Sequence, residues 1–215
     1  MPRTPPCPPV RRRAALLLAT LGLACLTGCA YRQVAHLDYG VRRGIDVPAA
    51  PPDRAQVVFW VSAMNPALEL AIYDADEQLG ILRYATWFAV SVVPGDHRFA
   101  VVGPKSADFT VGSLEAGKTY MLEAQLIFDD RFRLQPVTPK MRRYGGPITN
   151  LMKGCYPVAP NALTAAENAR LDERRRAILE RYSEKWLTRP ESDRRRLGPE
   201  HAIDGPVTAL LDDAS

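Results

Sequence analysis

The stretch from residue 56 to residue 128 repeats one pattern, in which short runs rich in β-branched and aromatic residues are separated by turn-forming residues. In the last run, apolar residues occupy every second position and polar residues stand between them: Tyr120, Leu122, Ala124, Leu126 and Phe128 against Thr119, Glu123 and Gln125. A period of two predicts strands with one buried and one wetter face. The pattern is typical of an antiparallel all-β domain.

Seven strands are predicted, at residues 56–62, 68–73, 79–84, 87–93, 97–102, 108–111 and 118–128. Residues 74–78, 94–96 and 114–117 lie between strands and favour tight turns. We therefore expect a mainly β fold: an antiparallel β-sandwich of these seven strands with a C-terminal α-helical appendage.

Two of these turns also carry a resemblance to a known family. Residues 92–97 (VVPGDH), followed by residues 114–120 (LEAGKTY), resemble a family of bacterial lipoprotein domains of unknown function. That family is similar to the PEGA-type and carboxypeptidase-regulatory-like β-sandwiches. The resemblance covers residues 55–128 and implies the fold, but it carries over no ligand-binding residue.

The N-terminal region has the organisation of an export signal. Arg11, Arg12 and Arg13 form a positive segment, and residues 14–26 are an uncharged run of thirteen residues, the length of a signal-peptide apolar region. A transmembrane helix needs roughly 20 apolar residues. The run is therefore predicted to be cleaved or to lie at the membrane interface.

Directly after this run, Leu26, Thr27, Gly28 and Cys29 match the lipobox at all four positions, so the segment resembles a bacterial lipoprotein signal. The resemblance implies a diacylglycerol on the thiol of Cys29, cleavage between Gly28 and Cys29, and acylation of the new amine with a fatty acid of the palmitate type. Because Ala30 and not aspartate follows the cysteine, it also implies the outer membrane as the destination.

Two alternatives remain open at this boundary. Residues 28–30 have the small-x-small form of a cleavage site, and cleavage after Ala30 would release a soluble protein. Cys25 is a second candidate for the lipidated residue, although Gly22 fits the first lipobox position poorly.

The signal also accounts for the charge of the chain, which is formally +4. Residues 1–28 hold four of the 28 basic residues and no acidic one, so 24 basic residues remain against 24 acidic residues. A nucleic-acid-binding protein usually has a basic excess concentrated on one face. We therefore expect no nucleic-acid partner.

Five segments are predicted: the signal at 1–28, a tether at 29–54, the β domain at 55–128, an irregular Pro- and Gly-rich segment at 129–160, and a helical region at 161–215. A flexible tether of that length has an r.m.s. span of roughly 25 to 30 Å.

The helical region is predicted from local signals. Thr164 and Glu167 form a capping box. An apolar stripe follows it at Leu171, Ile178, Tyr182 and Trp186. This stripe either packs on the β domain or is presented to a partner, and a second short helix is predicted at 191–197.

Residues 112–119 (GSLEAGKT) match the P-loop pattern, but a P-loop needs a helix that begins at its lysine. Here the residues after Lys118 alternate as a strand does, which favours a hairpin.

Metal and hydrolase sites are weakly indicated. Asp74, Asp76 and Glu77 cluster in one turn and could bind calcium, although an exposed hairpin turn is the simpler interpretation. His36, His97 and His201 have no zinc spacing. We expect no metal and no cofactor.

The arginine runs 174–176 and 194–196 could bind anionic lipid headgroups, but acidic residues between them favour a solvated helix face. No set of catalytic residues is recognisable, so the expected function is that of a non-enzymatic envelope lipoprotein. It would be a binding or structural module, joined to the membrane through Cys29 and to a protein partner in the envelope.

The alternative is an envelope enzyme with an unrecognised site near Tyr144, Cys155 and Tyr156, beside the flexible pair at 145–146. In the lipidated mature chain Cys155 is the single remaining thiol, and a small buried hydrophobe is the simpler interpretation. Pairing with another chain is the other possibility for this residue.

Overall fold

The computed structural model describes residues 44–62, 68–143, 146–159 and 165–210, with the backbone alone for residues 165–171 and 209–210. The chain divides into the units Met1–Asp38 and Tyr39–Ser215, and every described residue belongs to the second. The signal at 1–28, Tyr144, and the capping box of Thr164 and Glu167 lie outside the described residues or side chains.

The described residues form a mainly β structure, which confirms the predicted class. The strands are β1 (Gly44–Val47), β2 (Ala55–Val61), β3 (Leu70–Asp74), β4 (Glu77–Leu82), β5 (Thr86–Val92), β6 (Gly95–Val102), β7 (Ala107–Leu114), β8 (Thr119–Phe128), β9 (Arg131–Val137), β10 (Arg142–Arg143), β11 (Gly146–Pro147), β12 (Tyr156–Pro157), β13 (Arg195–Leu197) and β14 (Val207–Leu210). The α-helices are α1 (Thr149–Met152) and α2 (Ala165–Leu187). Each of the seven predicted strand segments overlaps one of β2 to β8.

Two five-stranded sheets organise these strands. The first sheet has the order β12-β5-β2-β8-β9, and the second has the order β13-β7-β6-β3-β4. Neighbouring strands are mostly antiparallel, but β2 and β8 pair in parallel at the centre of the first sheet. The expectation of a purely antiparallel arrangement is therefore wrong there. Because the chain crosses to the second sheet and returns, β8 enters the first sheet at the same end as β2.

Facing side chains of the two sheets form one apolar cluster. Phe59 of β2 lies 5.4 Å, between ring centroids, from Phe88 of its own sheet and 5.4 Å from Phe99 of the second sheet. Further members come from both sheets: Val57, Leu70, Ile72, Val101, Leu114, Leu122, Phe132 and Leu134. Complete burial of one such side chain stabilises the fold by about 1.5–3 kcal/mol, so this cluster holds the sheets together.

The outer face of the first sheet is also buried. Val58, Trp60 and Met121 on this face pack against β1, β14 and the α1 segment, which contributes Met152 and Cys155. The prediction that the second face of each strand is exposed to solvent is wrong for this sheet, because segments distant in sequence pack on its outer face. Of the segment predicted to be a tether, residues 44–47 form β1 and pair with β14.

Helix α2 packs on the outer face of the second sheet. Leu179 and Trp186 are buried against a cluster that includes Tyr73 and Phe109, and the rings of Trp186 and Phe109 lie 5.6 Å apart. The Tyr182 hydroxyl donates to the Lys105 carbonyl oxygen at 3.1 Å. The described part of the apolar stripe therefore packs on the protein's own sheet.

Two predicted segments differ from the structure. Within the segment predicted to be irregular, β9 pairs with β8 along its whole length and Pro136 lies in this edge strand, where a missing N–H group is tolerated. In place of the helix predicted at 191–197, a single 3-10 turn at Glu191–Asp193 precedes β13, which pairs in parallel with β7. Both differences arise because strands pair with other segments of the chain, and local sequence patterns do not predict such pairing.

Side chains close the gap between the sheets beside β9. The Leu134 amide donates to Asp108 at 2.9 Å, and its carbonyl oxygen accepts from Thr110 at 2.6 Å and from Arg195 at 3.1 Å. Arg195 also forms an ion pair with Asp108. These contacts satisfy backbone groups that an edge strand would otherwise leave without partners.

Gly112 permits the close approach of β13 to β7. A Cβ atom at this position would lie 2.4 Å from Leu197 Cβ and 2.9 Å from the Leu197 carbonyl oxygen. Gly112→Ala should therefore displace β13 and lower the free energy of unfolding, measured by urea denaturation, by about 1–3 kcal/mol. Gly154→Ala is the matched control because its Cβ would meet nothing closer than 3.6 Å. Equal stability of the two variants would contradict this account.

Candidate functional site

The predicted lipidation site, Cys29, and the scissile bond after Gly28 lie outside the described residues. The structure does place Gly44, fifteen residues beyond Cys29. The Gly44 amide donates to the Cys155 carbonyl oxygen at 2.8 Å, and its carbonyl oxygen accepts from Trp87 Nε1 at 2.8 Å. The point at which the chain enters the domain is therefore fixed against the outer face of the first sheet.

Cys155 is buried beneath this entry point. Its thiol lies 3.5 Å from the Val61 carbonyl oxygen and 3.6 Å from the Leu151 carbonyl oxygen, where it acts as a weak donor. Burial, followed by the negative charge of Glu123, raises the pKa of the Cys155 thiol to about 12. A thiol with this pKa is protonated at neutral pH, which disfavours Cys155 as a nucleophile. Tyr156 lies next to it in β12 and pairs with Thr86 of β5.

Glu123 is a buried acid, although the alternation of β8 predicts that it faces solvent. It lies on the outer face of the first sheet, is 2 % exposed, and forms an ion pair with Arg143. Burial raises the pKa of the Glu123 carboxyl, and the charge of Arg143 opposes this shift. A polar residue in an alternating strand signals an exposed face, so no local pattern could have identified this pair.

The acidic turn between β3 and β4 is held by protein groups. Asp74 Oδ2 lies 2.6 Å from His97 Nδ1, and Asp74 Oδ1 accepts from the Arg98 amide at 3.3 Å. The other ring nitrogen of His97 lies 2.7 Å from the Val93 carbonyl oxygen. Among the described residues, no cluster of three metal-ligating side chains occurs. The turn closes a β-hairpin, as its simpler interpretation predicted.

The P-loop match lies in a connection between the two sheets. Gly112 belongs to β7 of the second sheet, and β8 of the first sheet begins at Thr119, so no helix follows Lys118. The ammonium group of Lys118 pairs with Asp204 at 2.6 Å. The absence of the required helix agrees with the prediction against a P-loop. The predicted hairpin is wrong, however, because β7 and β8 do not pair.

Charged side chains also join α2 to the second sheet. Arg175 is buried and lies 3.2 Å from Glu69, which also binds Arg83 at 3.0 Å. The Tyr73 hydroxyl donates to Asp172 at 3.2 Å, and burial, reinforced by this carboxylate, raises the pKa of Tyr73 to about 12. The interpretation of this arginine run as a solvated face is therefore wrong for its central residue.

A shallow groove of about 380 Å³ opens between β4 and β5 at the edge of the two sheets. Its lining includes Arg54, Glu77 and Ser91 beside apolar Leu79 and Val92. The Arg54 guanidinium donates to the Ser91 carbonyl oxygen at 3.0 Å, so one of its nitrogens is already bonded to the backbone.

The most unusual surface is the end of the β8–β9 hairpin. Leu126, Ile127 and Phe128 are 39 %, 51 % and 68 % exposed, although the alternation pattern predicts Leu126 and Phe128 to be buried. That prediction is wrong at the end of the hairpin, where a β-bulge between Leu126 and Phe128 shifts the register with β9. A signal was present in the sequence, since Ile127 breaks the alternation immediately before the turn residues Asp129 and Asp130.

No protein-family model, curated protein or solved structure matches this chain. Within the described part of the chain, no helix combines the length and the apolar character needed to cross a bilayer.

The buried position of Cys155 predicts an unreactive thiol. Because it is buried and its pKa is raised to about 12, Cys155 in the folded chain at pH 8 should react with an aromatic disulfide at least about 10-fold more slowly than a peptide thiol. Mass spectrometry of the modified peptide measures this rate, and unfolding in guanidinium should restore it. Rapid modification of the folded chain would instead support the alternative of an enzyme site.

Glu123 predicts a pH dependence of stability. Because its pKa is raised in the folded state, the folded chain binds more protons than the unfolded chain, so this residue lowers stability as pH rises from about 4 to 7. The free energy of unfolding of wild type minus that of Glu123→Gln should therefore fall over this range.

Glu173→Gln, on the exposed face of α2, serves as the control for the loss of one carboxyl group. A difference between wild type and Glu123→Gln that rises with pH would contradict the assignment of a raised pKa.

Proposed function

We propose that this protein is a bacterial envelope lipoprotein, anchored through lipid on Cys29, whose β domain is a non-enzymatic binding or structural module. The observation that carries the proposal is the lipobox from Leu26 to Cys29, directly after three arginines and a thirteen-residue apolar run. The destination proposed from Ala30 is the outer membrane. The domain would act there with a protein partner of the envelope.

The anchor in this proposal has two or three acyl chains. Each buried methylene contributes about 0.8 kcal/mol, and a single chain gives only marginal binding, so the additional chain on the amine makes the attachment stable. From Cys29 to Gly44 the chain spans at most about 50 Å. The β domain is therefore confined to a layer close to the membrane.

The domain in this proposal is a β-sandwich of the type that the lipoprotein resemblance implies. The shared apolar cluster supports it, because Phe59 and Phe99 bring side chains of the two sheets into contact. The parallel pair of β2 and β8 and the additional strands β12 and β13 would be elaborations of that sandwich.

The partners of the buried charged side chains support a non-enzymatic role. Arg143 pairs with Glu123, Arg195 with Asp108 and Arg175 with Glu69, and each pair joins segments distant in sequence. Groups used in this way connect distant segments of the fold and are not free for proton transfer. The high pKa of Cys155 adds to this argument.

Replacement of Cys29 tests the anchor. In cells fed an alkyne fatty acid, Cys29→Ala should lose the label and leave the membrane fraction, because no other residue of the lipobox supplies a thiol. Cys25→Ala is the matched control and should keep both properties. A Cys29→Ala protein that still carries lipid would contradict the assignment, and loss of lipid in Cys25→Ala alone would transfer the anchor to Cys25.

A further inference from the structure

The β8–β9 hairpin extends beyond the end of β2. The parallel pairing of β2 with β8 ends at Trp60 and Glu123, whereas β8 continues to Phe128 with β9 as its partner. A β-bulge shifts the register of β8 and β9 between Leu126 and Phe128. The hairpin end, residues 126–131, therefore has no neighbour from β2 in the first sheet.

The hairpin end is held in a fixed position. Asp129 and Asp130 form the turn with positive φ angles of 48° and 55°, the conformation of a tight two-residue hairpin turn. Lys105, in the connection between β6 and β7, binds Asp129 at 3.0 Å and Asp130 at 3.6 Å. Phe132, which pairs with Leu126, is buried in the shared cluster.

Exposed apolar side chains concentrate at this end. Of the six large hydrophobic side chains exposed in the described residues, three lie on the hairpin end. A fourth, Tyr84, lies at the same end of the first sheet, because nearby Thr86 pairs with Val61, the last residue of β2. Val93 lies at the opposite end, since its neighbour Val92 pairs with Ala55. Apolar exposure of this kind marks a surface that contacts a partner or a membrane.

The chain enters the domain at the same end. The Gly44 carbonyl oxygen accepts from Trp87, Trp87 pairs with Trp60, and Trp60 pairs with Glu123, the last residue of β8 that pairs with β2. Gly44, fifteen residues after Cys29 in the sequence, therefore lies at the end of the domain that carries the hairpin end. A lipid on Cys29 would direct this side toward the bilayer.

The charges near the hairpin end also suit a phospholipid surface. Arg131 and Arg133 are exposed on β9. The acidic groups of this end are paired within the protein: Asp129 and Asp130 with Lys105, and Glu69 with Arg83 and Arg175. Two exposed arginines beside an apolar hairpin favour contact with anionic headgroups.

From these observations we infer that the β8–β9 hairpin end inserts Leu126, Ile127 and Phe128 into the headgroup and acyl boundary of the leaflet that holds the lipid on Cys29. The occupant of this surface is the phospholipid bilayer. The inference rests on the proposed anchor, because the anchor determines which membrane the hairpin meets. Insertion would add a second attachment point and orient the domain.

Photocrosslinking in intact cells tests the insertion. A benzoyl-phenylalanine replaces Phe128 in the full lipidated chain, and the matched control replaces Val93, which is 61 % exposed at the opposite end. Cells are grown with radioactive phosphate, which labels phospholipids and not the diacylglycerol on Cys29. After irradiation, the chain with the probe at position 128 should carry at least ten times more phosphate label than the chain with the probe at position 93.

Other outcomes are equally informative. Crosslinking of position 128 to a protein, or equal phosphate label at the two positions, would overturn the insertion. An alkyne fatty acid on the same chain before irradiation reports the anchor separately, so its absence would overturn the proposed anchor and not the inference alone. Protection of Cys155 from thiol reagents verifies that each variant is folded.

The arginines provide a second measurement. The double substitution Arg131→Gln and Arg133→Gln should lower the phosphate label at position 128 several-fold, because it removes the attraction to anionic headgroups. Arg181→Gln, on the exposed face of α2, is the control and should leave the label unchanged. Equal labelling of the double variant and the control would contradict the electrostatic part of the inference.

Discussion

The burial of β2 on both faces is the constraint on which the rest of the structure depends. All seven residues from Ala55 to Val61 are buried, so each face of the strand must pack against a separate set of apolar side chains. The second sheet covers one face through contacts such as that of Phe59 with Phe99, and the other face packs against β1, β14 and the α1 segment. Both ends of the described chain are thereby recruited to complete the domain. The apolar surface that these two packing interfaces remove from water is the main source of stability.

Buried charges occur where elements from different parts of the chain meet. Glu123 with Arg143, Asp108 with Arg195, and Glu69 with Arg175 each connect segments at least twenty residues apart. Such pairs contribute little net stability because both groups lose hydration, but removal of one partner leaves an uncompensated charge. They therefore act mainly by specifying which segment docks at which position. This role gives the buried side chains of Glu123 and Arg175 a structural function.

The domain is asymmetric from one end of its sheets to the other. One end carries Gly44 and the β8–β9 hairpin with Phe128, whereas the other end carries the turns near Val93 and Gly117. In the proposed lipoprotein, exposed apolar groups beside the lipid anchor would favour one orientation at the membrane. The opposite end and the outer surface of α2 would then face the proposed protein partner.

Local patterns in the sequence determined the seven strands from β2 to β8 and the long helix, because each depends on the properties of neighbouring residues. The proposed export signal and lipobox rest on such local patterns alone. The sequence could not determine which sheet a strand joins, that β9, β12 and β13 extend the sheets, or that Glu123 and Cys155 are buried. Those features depend on contacts between segments distant in the chain. The same reason applies to the exposure of Leu126 and Phe128: alternation identifies the face of a strand, but only the tertiary structure decides which positions on that face are covered.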